Sequence, residues 1–305
     1  MALSNTLRGL LSISRPVYSG STLVFFGLGV FIVEFASSGN EIATLPGLLG
    51  YAGALLVVWS AYAMNTLCDK DTDAANPSAG KDVDLRKNPL LTGELGRREV
   101  LVYVFVLALS GLGLLVASSY RSGVAAAIGL AGSFLYSAKP LRLKGKPFLD
   151  VATIATLDAC LFTSGLLVGT ADLASRVDII VFMWLFSLGH TFPTIAEDTE
   201  PDRAAGLRTT SVVLGDARTH GVALVVATIA AAYGVWLAVV RYDSLPCRLA
   251  MAFILLNSLA LIGDYVYGLV KRGFPLRLST PVGPWYGWVG HGVSALSLVL
   301  AFVLA

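Results

Sequence analysis

Residues 46–73 read P-G-L-L-G-Y-A-G-A-L-L-V-V-W-S-A-Y-A-M-N-T-L-C-D-K-D-T-D, and the change of character after Leu67 decides the fold. No charged residue occurs from Pro46 to Cys68, whereas Asp69, Lys70, Asp71 and Asp73 crowd into the last five positions. About 20 apolar residues are enough to cross a bilayer as a helix. The stretch 46–66 therefore predicts a transmembrane helix that delivers acidic side chains to the membrane surface.

The same pattern recurs on both sides. Apolar stretches near 17–36, 46–66, 99–117, 122–138, 148–170, 177–197, 219–240, 248–270 and 285–305 predict nine spans. Backbone groups in hydrocarbon must be satisfied within the segment, and no stretch alternates as a barrel strand does, so the spans are expected to be helices. Composition agrees: 55% of residues are hydrophobic and 14% charged, against about 25% charged in soluble domains, and the mean hydropathy is +0.73. These values exclude a disordered chain, a basic nucleic-acid binder and an ordinary cytosolic enzyme, and a net charge of +2 suggests no polyanionic partner. The expected fold class is an all-α integral membrane protein with nine transmembrane helices bundled around a central cavity, one domain over 1–305. The first span, preceded by Arg8 and Arg15, is too long for a signal-peptide core and reads as a retained helix. Cys68, Cys160 and Cys247 form no CxxC pair and read as structural thiols.

Basic residues orient the bundle. One face would receive Arg8 and Arg15, the six in the 67–98 connection (Lys70, Lys81, Arg86, Lys87, Arg97, Arg98), then Lys139, Arg142, Lys144 and Lys146, then Arg203, Arg208 and Arg218, and finally Lys271, Arg272 and Arg277. The other face has only Arg121, Arg176, Arg241 and Arg248. The split is 18 to 4 of the 22 Lys and Arg, and the positive-inside rule then places the N-terminus and the long loops in the cytoplasm and the C-terminus outside.

That rule does not ask for the acids in the same loops. Asn65, Asp69 and Asp73 follow at i, i+4, i+8, which puts all three on one helical face, with Asp71 turned away. Stacked carboxylates at a helix C-terminus oppose the dipole unless a cation sits among them. Mg²⁺, which takes few carboxylates together with phosphate oxygens and water, suits so sparse a set. A second cluster, E-D-T-E-P-D-R-A-A-G-L-R-T-T, closes the sixth span and repeats the spacing at Asp198 and Asp202, followed by Gly206 and Arg208. Asn65/Asp69/Asp73 and Thr194/Asp198/Asp202 align at a constant offset four spans apart, which hints at duplication of helices 1–4 as 5–8 with the ninth appended. Taken singly, each cluster reads as a solvated helix end; two with matching spacing on one face favour a shared metal. Between them lies Y-S-A-K-P-L-R-L-K-G-K-P (136–147), whose Lys139, Arg142, Lys144 and Lys146 read either as plain topology signal or, beside paired acids, as a clamp for a metal–diphosphate complex.

These residues resemble the motifs of the UbiA superfamily of intramembrane prenyltransferases. The resemblance is carried by N-x-x-x-D-x-x-x-D at 65–73, D-x-x-x-D at 198–202, Y-S-A-K-P-L-R-L-K from Tyr136, Arg15–Pro16, and A-G-L-R-T-T-S-V-V-L-G at 205–215. It implies that Asn65, Asp69, Asp73, Asp198 and Asp202 hold Mg²⁺ against the diphosphate of an allylic isoprenoid, with Lys139, Arg142, Lys144 and Arg208 neutralising the leaving group. It further implies that a lipophilic acceptor, such as an aromatic ring or quinone precursor, attacks the allylic cation inside a water-free cavity in the bilayer. Tyr136 either binds diphosphate, steadies the cation through its ring, or anchors the interface. Two positions depart from the pattern: Thr66 stands where many members carry Asp, and Asn88, ahead of Pro89-Leu90, where they carry Arg. A diphosphate contact supplied there in relatives is expected either to be absent or to fall to Arg86 or Lys87.

Asp158, mid-way along the fifth span, should face the bundle interior, either receiving a hydrogen bond from an acceptor or bonding a neighbouring helix. Asp264 with Tyr265 and Tyr267, His190, Glu34, and the aromatics Trp184, Phe186 and Phe192 are weaker candidates for the cavity or its rim. Two competing functions share parts of this reading. A terpene cyclase of the same superfamily would ionise the diphosphate without an acceptor. A cation-coupled transporter would place its acids near the midplane rather than at the rim.

Overall fold

In the computed structural model the described residues are 2–36, 45–74, 88–169 and 172–241, with single positions at 255, 259, 262 and 266. Apart from those four positions, the expected spans 248–270 and 285–305 lie outside the described residues. So do Asp264, Tyr265, Tyr267, Cys247, Arg248, Lys81, Asp82, Asp84, Arg86, Lys87, Lys271, Arg272, Arg277 and the side chain of Glu34.

The described chain is helical throughout. A short α1 (Ala2–Ile13) leads into α2 (Pro16–Ala36), followed by α3 (Leu45–Ala74), the single turn α4 (Pro89–Thr92), α5 (Arg97–Ser118), α6 (Tyr120–Ser137), α7 (Leu149–Leu166) and α8 (Val177–Glu197). The small helices α9 (Thr199–Ala204) and α10 (Thr210–Leu214) precede α11 (Asp216–Trp236), whose end winds into a π-helical turn, Leu237–Arg241. The expected span 177–197 coincides with α8, and the others fall within a few residues of α2, α3, α5, α6, α7 and α11. Five stretches among the described residues are long and apolar enough to cross a membrane: 45–74, 97–118, 149–166, 174–196 and 216–241.

Two features depart from the expected spans. Helix α1 was not anticipated; its 12 residues are too short to span, and its exposed Leu7 and Leu11 mark it as a helix lying along an interface. The chain turns between α1 and α2 at Arg15, with φ of 48°, ahead of Pro16. The buried Ser14 fixes the turn by bonding Leu10 O at 3.0 Å and the Tyr103 hydroxyl of α5 at 2.8 Å. Helix α3 is also longer than its apolar stretch. Thirty residues rise about 45 Å at about 1.5 Å each, more than the roughly 30 Å hydrocarbon layer, so its last turns, carrying the acids, project past the apolar layer.

Helices α2, α3, α6 and α7 pack in a closed circuit; α5 buttresses α3 and α6, and α8 and α11 extend the bundle from α7. Phe26, Phe162, Ile179, Phe182 and Met183 are completely buried at the joints. The outward faces are apolar as well, with Val102, Phe105, Val106, Leu109, Ile128, Val225 and Ile229 all exposed. A soluble protein seldom exposes so continuous an apolar surface; lipid covers it without cost.

Backbones meet where glycines leave room. A Cβ at Gly111 of α5 would lie 2.8 Å from Gly53 O and 2.9 Å from Val57 N of α3, both backbone atoms that cannot swing aside. Small residues at such crossings are the usual means of close helix approach in membranes. Gly111→Ala is expected to force α5 off α3 and cost about 1–3 kcal/mol, read as a lowered thermal midpoint in detergent. Gly113→Ala, whose Cβ meets nothing within 4 Å, should leave the midpoint unchanged or slightly raised.

Candidate active site

Because α3 continues to Ala74, Asn65, Asp69 and Asp73 stand one turn apart on one face, as their spacing predicts. Asp69 is 8% exposed, Asn65 and Asp73 are half-buried, and Lys70 and Asp71 are exposed on the far side. Each inward side chain is tied to a different element. Asn65 Nδ2 donates to Ser137 Oγ at the end of α6, at 3.2 Å. Lys144 Nζ pairs directly with Asp69 Oδ1, and Arg142 Nη2 approaches the same oxygen at 3.8 Å while donating to Thr72 Oγ1 at 3.3 Å. Asn88 Nδ2 donates to Asp73 Oδ2 at 2.9 Å.

The loop that delivers these cations is shaped to do so. It leaves α6 at Ala138, reaches Arg142 in a left-handed conformation (φ 38°), forms a 3₁₀ turn over Leu143–Gly145 and enters α7 through Phe148, also left-handed at φ 66°. Arg142 Nε is buried without a hydrogen-bond partner. A buried guanidinium N–H left unmet costs of the order of 1–3 kcal/mol, so the loop holds a cationic donor that an anionic oxygen would satisfy.

The second acidic cluster is built differently from the first. Helix α8 ends at Glu197, Asp198 sits at the break, and α9 carries Asp202, although Asp202 N still donates to Asp198 O at 2.8 Å and keeps the two acids one turn apart. Pro193 within α8 and Pro201 within α9 each remove a backbone donor, which accounts for the end of the long helix here. Asp198 is exposed and Asp202 is half-buried. Burial, then the charge of Asp198, push the Asp202 carboxyl up to about 6, with Asp69 adding to the rise and Thr209 and Lys144 opposing it. The two clusters are thus within electrostatic reach of each other, with Lys144 acting on both. Tyr136 lies in the same field, acted on by Asp150, Asp69, Asp202 and Asp198.

Other expected residues take different places. Lys139 and Arg208 are exposed, and among the described residues they are not brought onto either acidic cluster. Asp158 accepts from Ser187 Oγ at 2.5 Å, joining α7 to α8, which is the helix-to-helix bond anticipated as one of its two roles. His190 packs its ring 4.4 Å from that of Phe186, which also faces Phe25. Trp184 Nε1 donates to Thr156 Oγ1 at 3.1 Å. The positions that depart from the expected motif prove to be neighbours: Asn88 Nδ2 donates to the carbonyl of the buried Thr66 at 3.1 Å, while its Oδ1 caps α4 by accepting from Leu90 N.

Sequence reasoning missed Asp150, Thr209 and Thr210. Asp150 is 1% exposed in the first turn of α7, and its carboxylate receives the backbone N–H and the hydroxyl of Thr210. The available signal was an acid immediately after a basic loop and at the start of an apolar stretch, where a helix N-terminus favours negative charge.

Among the described residues no three His, Cys, Asp or Glu side chains converge as a preformed metal cage. The donor set still fits a hard divalent cation: carboxylate and amide oxygens from two segments, none of them sulfur, facing a cationic loop with an unmet donor. The lysine ammonium on Asp69 occupies the kind of position such a cation takes.

Comparison with known proteins accords with this chemistry. The UbiA prenyltransferase family profile matches residues 23–265. A lycopene elongase/hydratase of Haloarcula japonica is 34% identical over 165 residues, 52% of this chain and 51% of that protein. A digeranylgeranylglyceryl phosphate synthase of Methanoregula boonei is 28% identical over 214 residues, 70% of this chain and 71% of that protein. The matched segment therefore spans about half the length of the first relative and about seven-tenths of the second. A UbiA homolog from Archaeoglobus fulgidus, solved bound to DMAPP and Mg²⁺, superposes with a TM-score of 0.82 at 22% identity, covering 97% of this chain and 98% of that one; it shares the fold.

A carboxyl that titrates near 6 must lose its proton to bind a cation, so divalent-cation affinity should fall as pH drops through that value. Calorimetric titration of the metal-free protein in buffers of different ionisation heat should show most of one proton released per site at pH 5.5 and almost none at pH 8. Equal affinity and no proton release at both values would place Asp202 outside the cation site.

Proposed function

Because the chain belongs to the UbiA prenyltransferase family, we propose that it is a Mg²⁺-dependent integral-membrane prenyltransferase that moves an isoprenyl chain from an isoprenyl diphosphate to a hydrophobic acceptor. The observation that carries the reading is the junction of the two acidic segments through one basic loop: Lys144 and Arg142 lie on Asp69, and Lys144 also acts on Asp202.

In this reading Asn65, Asp69 and Asp73 from α3, with Asp198 and Asp202 from the α8–α9 junction, supply the oxygen ligands. Mg²⁺ bound there acts as a Lewis acid on the diphosphate. Arg142 offers its unmet Nε to the leaving group, Lys144 exchanges Asp69 for a phosphate oxygen, and Tyr136 lies between the carboxylates and the membrane interior. Lys139 and Arg208, exposed without ligand, are proposed to close on the outer phosphate. The bond between the allylic carbon and the bridging oxygen breaks, both electrons leave with diphosphate, and an acceptor carbon attacks the allylic cation and then loses a proton. Packed apolar helices around the tail keep water from the cation. Asp158, held by Ser187, is proposed to orient the acceptor below the rim.

The wider architecture follows from the same reading. A single domain of nine helices, related as two groups of four with one appended, would place the N-terminus and both acidic segments in the cytoplasm and the C-terminus outside, as the 18-to-4 division of Lys and Arg supports. The names of the two relatives add a carotenoid and a glyceryl phosphate lipid to the aromatic acceptors worth testing.

The test is Mg²⁺-dependent diphosphate release across isoprenyl diphosphates of increasing length, with and without each acceptor, and mass spectrometry of the lipid product. Asp69→Ala and Asp198→Ala should each lower release by about 10²–10³-fold, the range for losing one preorganised transition-state contact. Wild-type release with both variants would overturn the assignment. Cyclic terpene hydrocarbon or alcohol formed at full rate without an acceptor would identify a cyclase instead.

A further inference from the structure

Three consecutive hydroxyl residues, Thr209, Thr210 and Ser211, are all buried at the entrance to α10, and each engages a different part of the molecule. Ser211 Oγ donates to Ile195 O near the end of α8, at 2.9 Å. The Thr209 hydroxyl lies 3.3 Å from Ser211 Oγ and acts to lower the Asp202 carboxyl. Thr210 turns the other way, to Asp150: its backbone N–H donates to Oδ2 at 2.6 Å and its hydroxyl to Oδ1, while Phe148 N donates to the Thr210 hydroxyl at 2.6 Å. Asp150 Oδ1 also accepts from Val151 N at 2.9 Å. A carboxylate 1% exposed is expensive to bury unless hydrogen bonds replace its water; here two backbone N–H groups and a hydroxyl replace it, and among the described residues no Lys or Arg forms an ion pair with it.

The placement gives this bond network a task. Asp150 and Phe148, at the end of the loop that presents Arg142 and Lys144 to Asp69, are both anchored on Thr210, which lies directly before the residue bonded to the end of α8. One route runs from Asp69 to Lys144, along the loop to Asp150, across to Thr210, and through Ser211 to Ile195, three residues before Asp198.

We propose that Asp150 is a positioning residue: clasped to Thr210, it sets the distance between the basic loop and the second acidic segment, and so brings the two halves of the cation–diphosphate site into register. The inference rests on the function proposed above only in what the register is for; the clasp itself is a matter of hydrogen bonds. A network of fully satisfied buried polar groups specifies one geometry and penalises departures from it.

The test has two arms on the full-length protein. In the first, without ligand or metal, hydrogen exchange is followed by mass spectrometry. Asp150→Ala should speed exchange at least tenfold in both 140–148 and 206–212, and Thr210→Val, which keeps the backbone donor, should do so to a smaller extent in the same two segments. Acceleration in one segment alone, or in neither, overturns the clasp. In the second arm, half-saturating Mg²⁺ for diphosphate release should rise at least tenfold in Asp150→Ala and recover in part in Asp150→Asn, which retains one acceptor oxygen. A carboxylate of purely structural value would lower the thermal midpoint and the active fraction and leave half-saturation where it was; that outcome overturns the positioning role. If Asp150→Ala does not fold, Thr210→Val carries both arms. If the wild-type protein releases no diphosphate from any isoprenyl diphosphate, the proposed function fails, and the exchange arm still decides the clasp.

Discussion

The pairing of Lys144 and Arg142 with Asp69 is the contact around which the rest of the site is arranged. A carboxylate at the C-terminal end of a long membrane helix meets the negative end of the dipole and a second acid one turn later. Water is sparse at 8% exposure, so a positive charge must be supplied. The chain supplies it from a loop more than sixty residues away, which binds α3 to the entrance of α7. Such a pair is a poor source of stability, since desolvation offsets much of the attraction. In the function proposed above its value would lie in being exchangeable: an ammonium on a flexible stem can release one anion for another as a cation arrives, whereas a hydrophobic replacement cannot.

That exchange needs a frame that does not move with it. The closed circuit of α2, α3, α6 and α7 provides the frame, with glycine contacts holding α3 to α5 at backbone distance. On it, the polar side chains of the site are carried by short, irregular pieces: a 3₁₀ turn with left-handed residues on either side, a one-turn helix capped by Asn88, and the broken end of α8. Irregular backbone is tolerated at a membrane edge where it lines a polar site. Each piece is pinned by a side chain outside the proposed ligand set: Asn88 on Asp73, Ser211 on Ile195, Thr210 on Asp150.

The sequence spelled out the elements governed by a single local rule. The α8 boundaries follow from hydropathy and its limits, and the inward set Asn65, Asp69, Asp73 with outward Asp71 follows from the helical repeat once the helix is allowed to run on. Helix α1 escaped because the spanning criterion is blind to an amphipathic segment of 12 residues. The break at Asp198 escaped because matching i, i+4 spacing in the two clusters suggested matching helices, while Pro193 and Pro201 had already settled the local backbone. In sequence the 139–146 loop reads as one cationic clamp, with Lys139, Arg142 and Lys144 set against the diphosphate; in the structure Arg142 and Lys144 are carried over Asp69 and Lys139 is exposed, and the left-handed turn at Arg142 has no signature in composition. Asp150 was legible in principle and overlooked because it fell inside a stretch already read as a span.

The two departures from the family pattern, Thr66 and Asn88, are one structural event. Thr66 is fully buried, Asn88 is 2% exposed, and the amide of one donates to the carbonyl of the other. An acid at 66 would bury a third negative charge beside Asp69 and Asp73, which a cation at 88 would help to meet. Removing both keeps the local charge unchanged and leaves a neutral pair that satisfies itself, with Thr66 Oγ1 returned to Tyr62 O and the Asn88 amide shared between Thr66 and Asp73. The ligand-facing set at 65, 69 and 73 is untouched by the exchange. What the site forgoes is a guanidinium at 88, and the cation best placed to make that good is Arg142, which already lies against Thr72 and Asp69 with a buried Nε awaiting an acceptor.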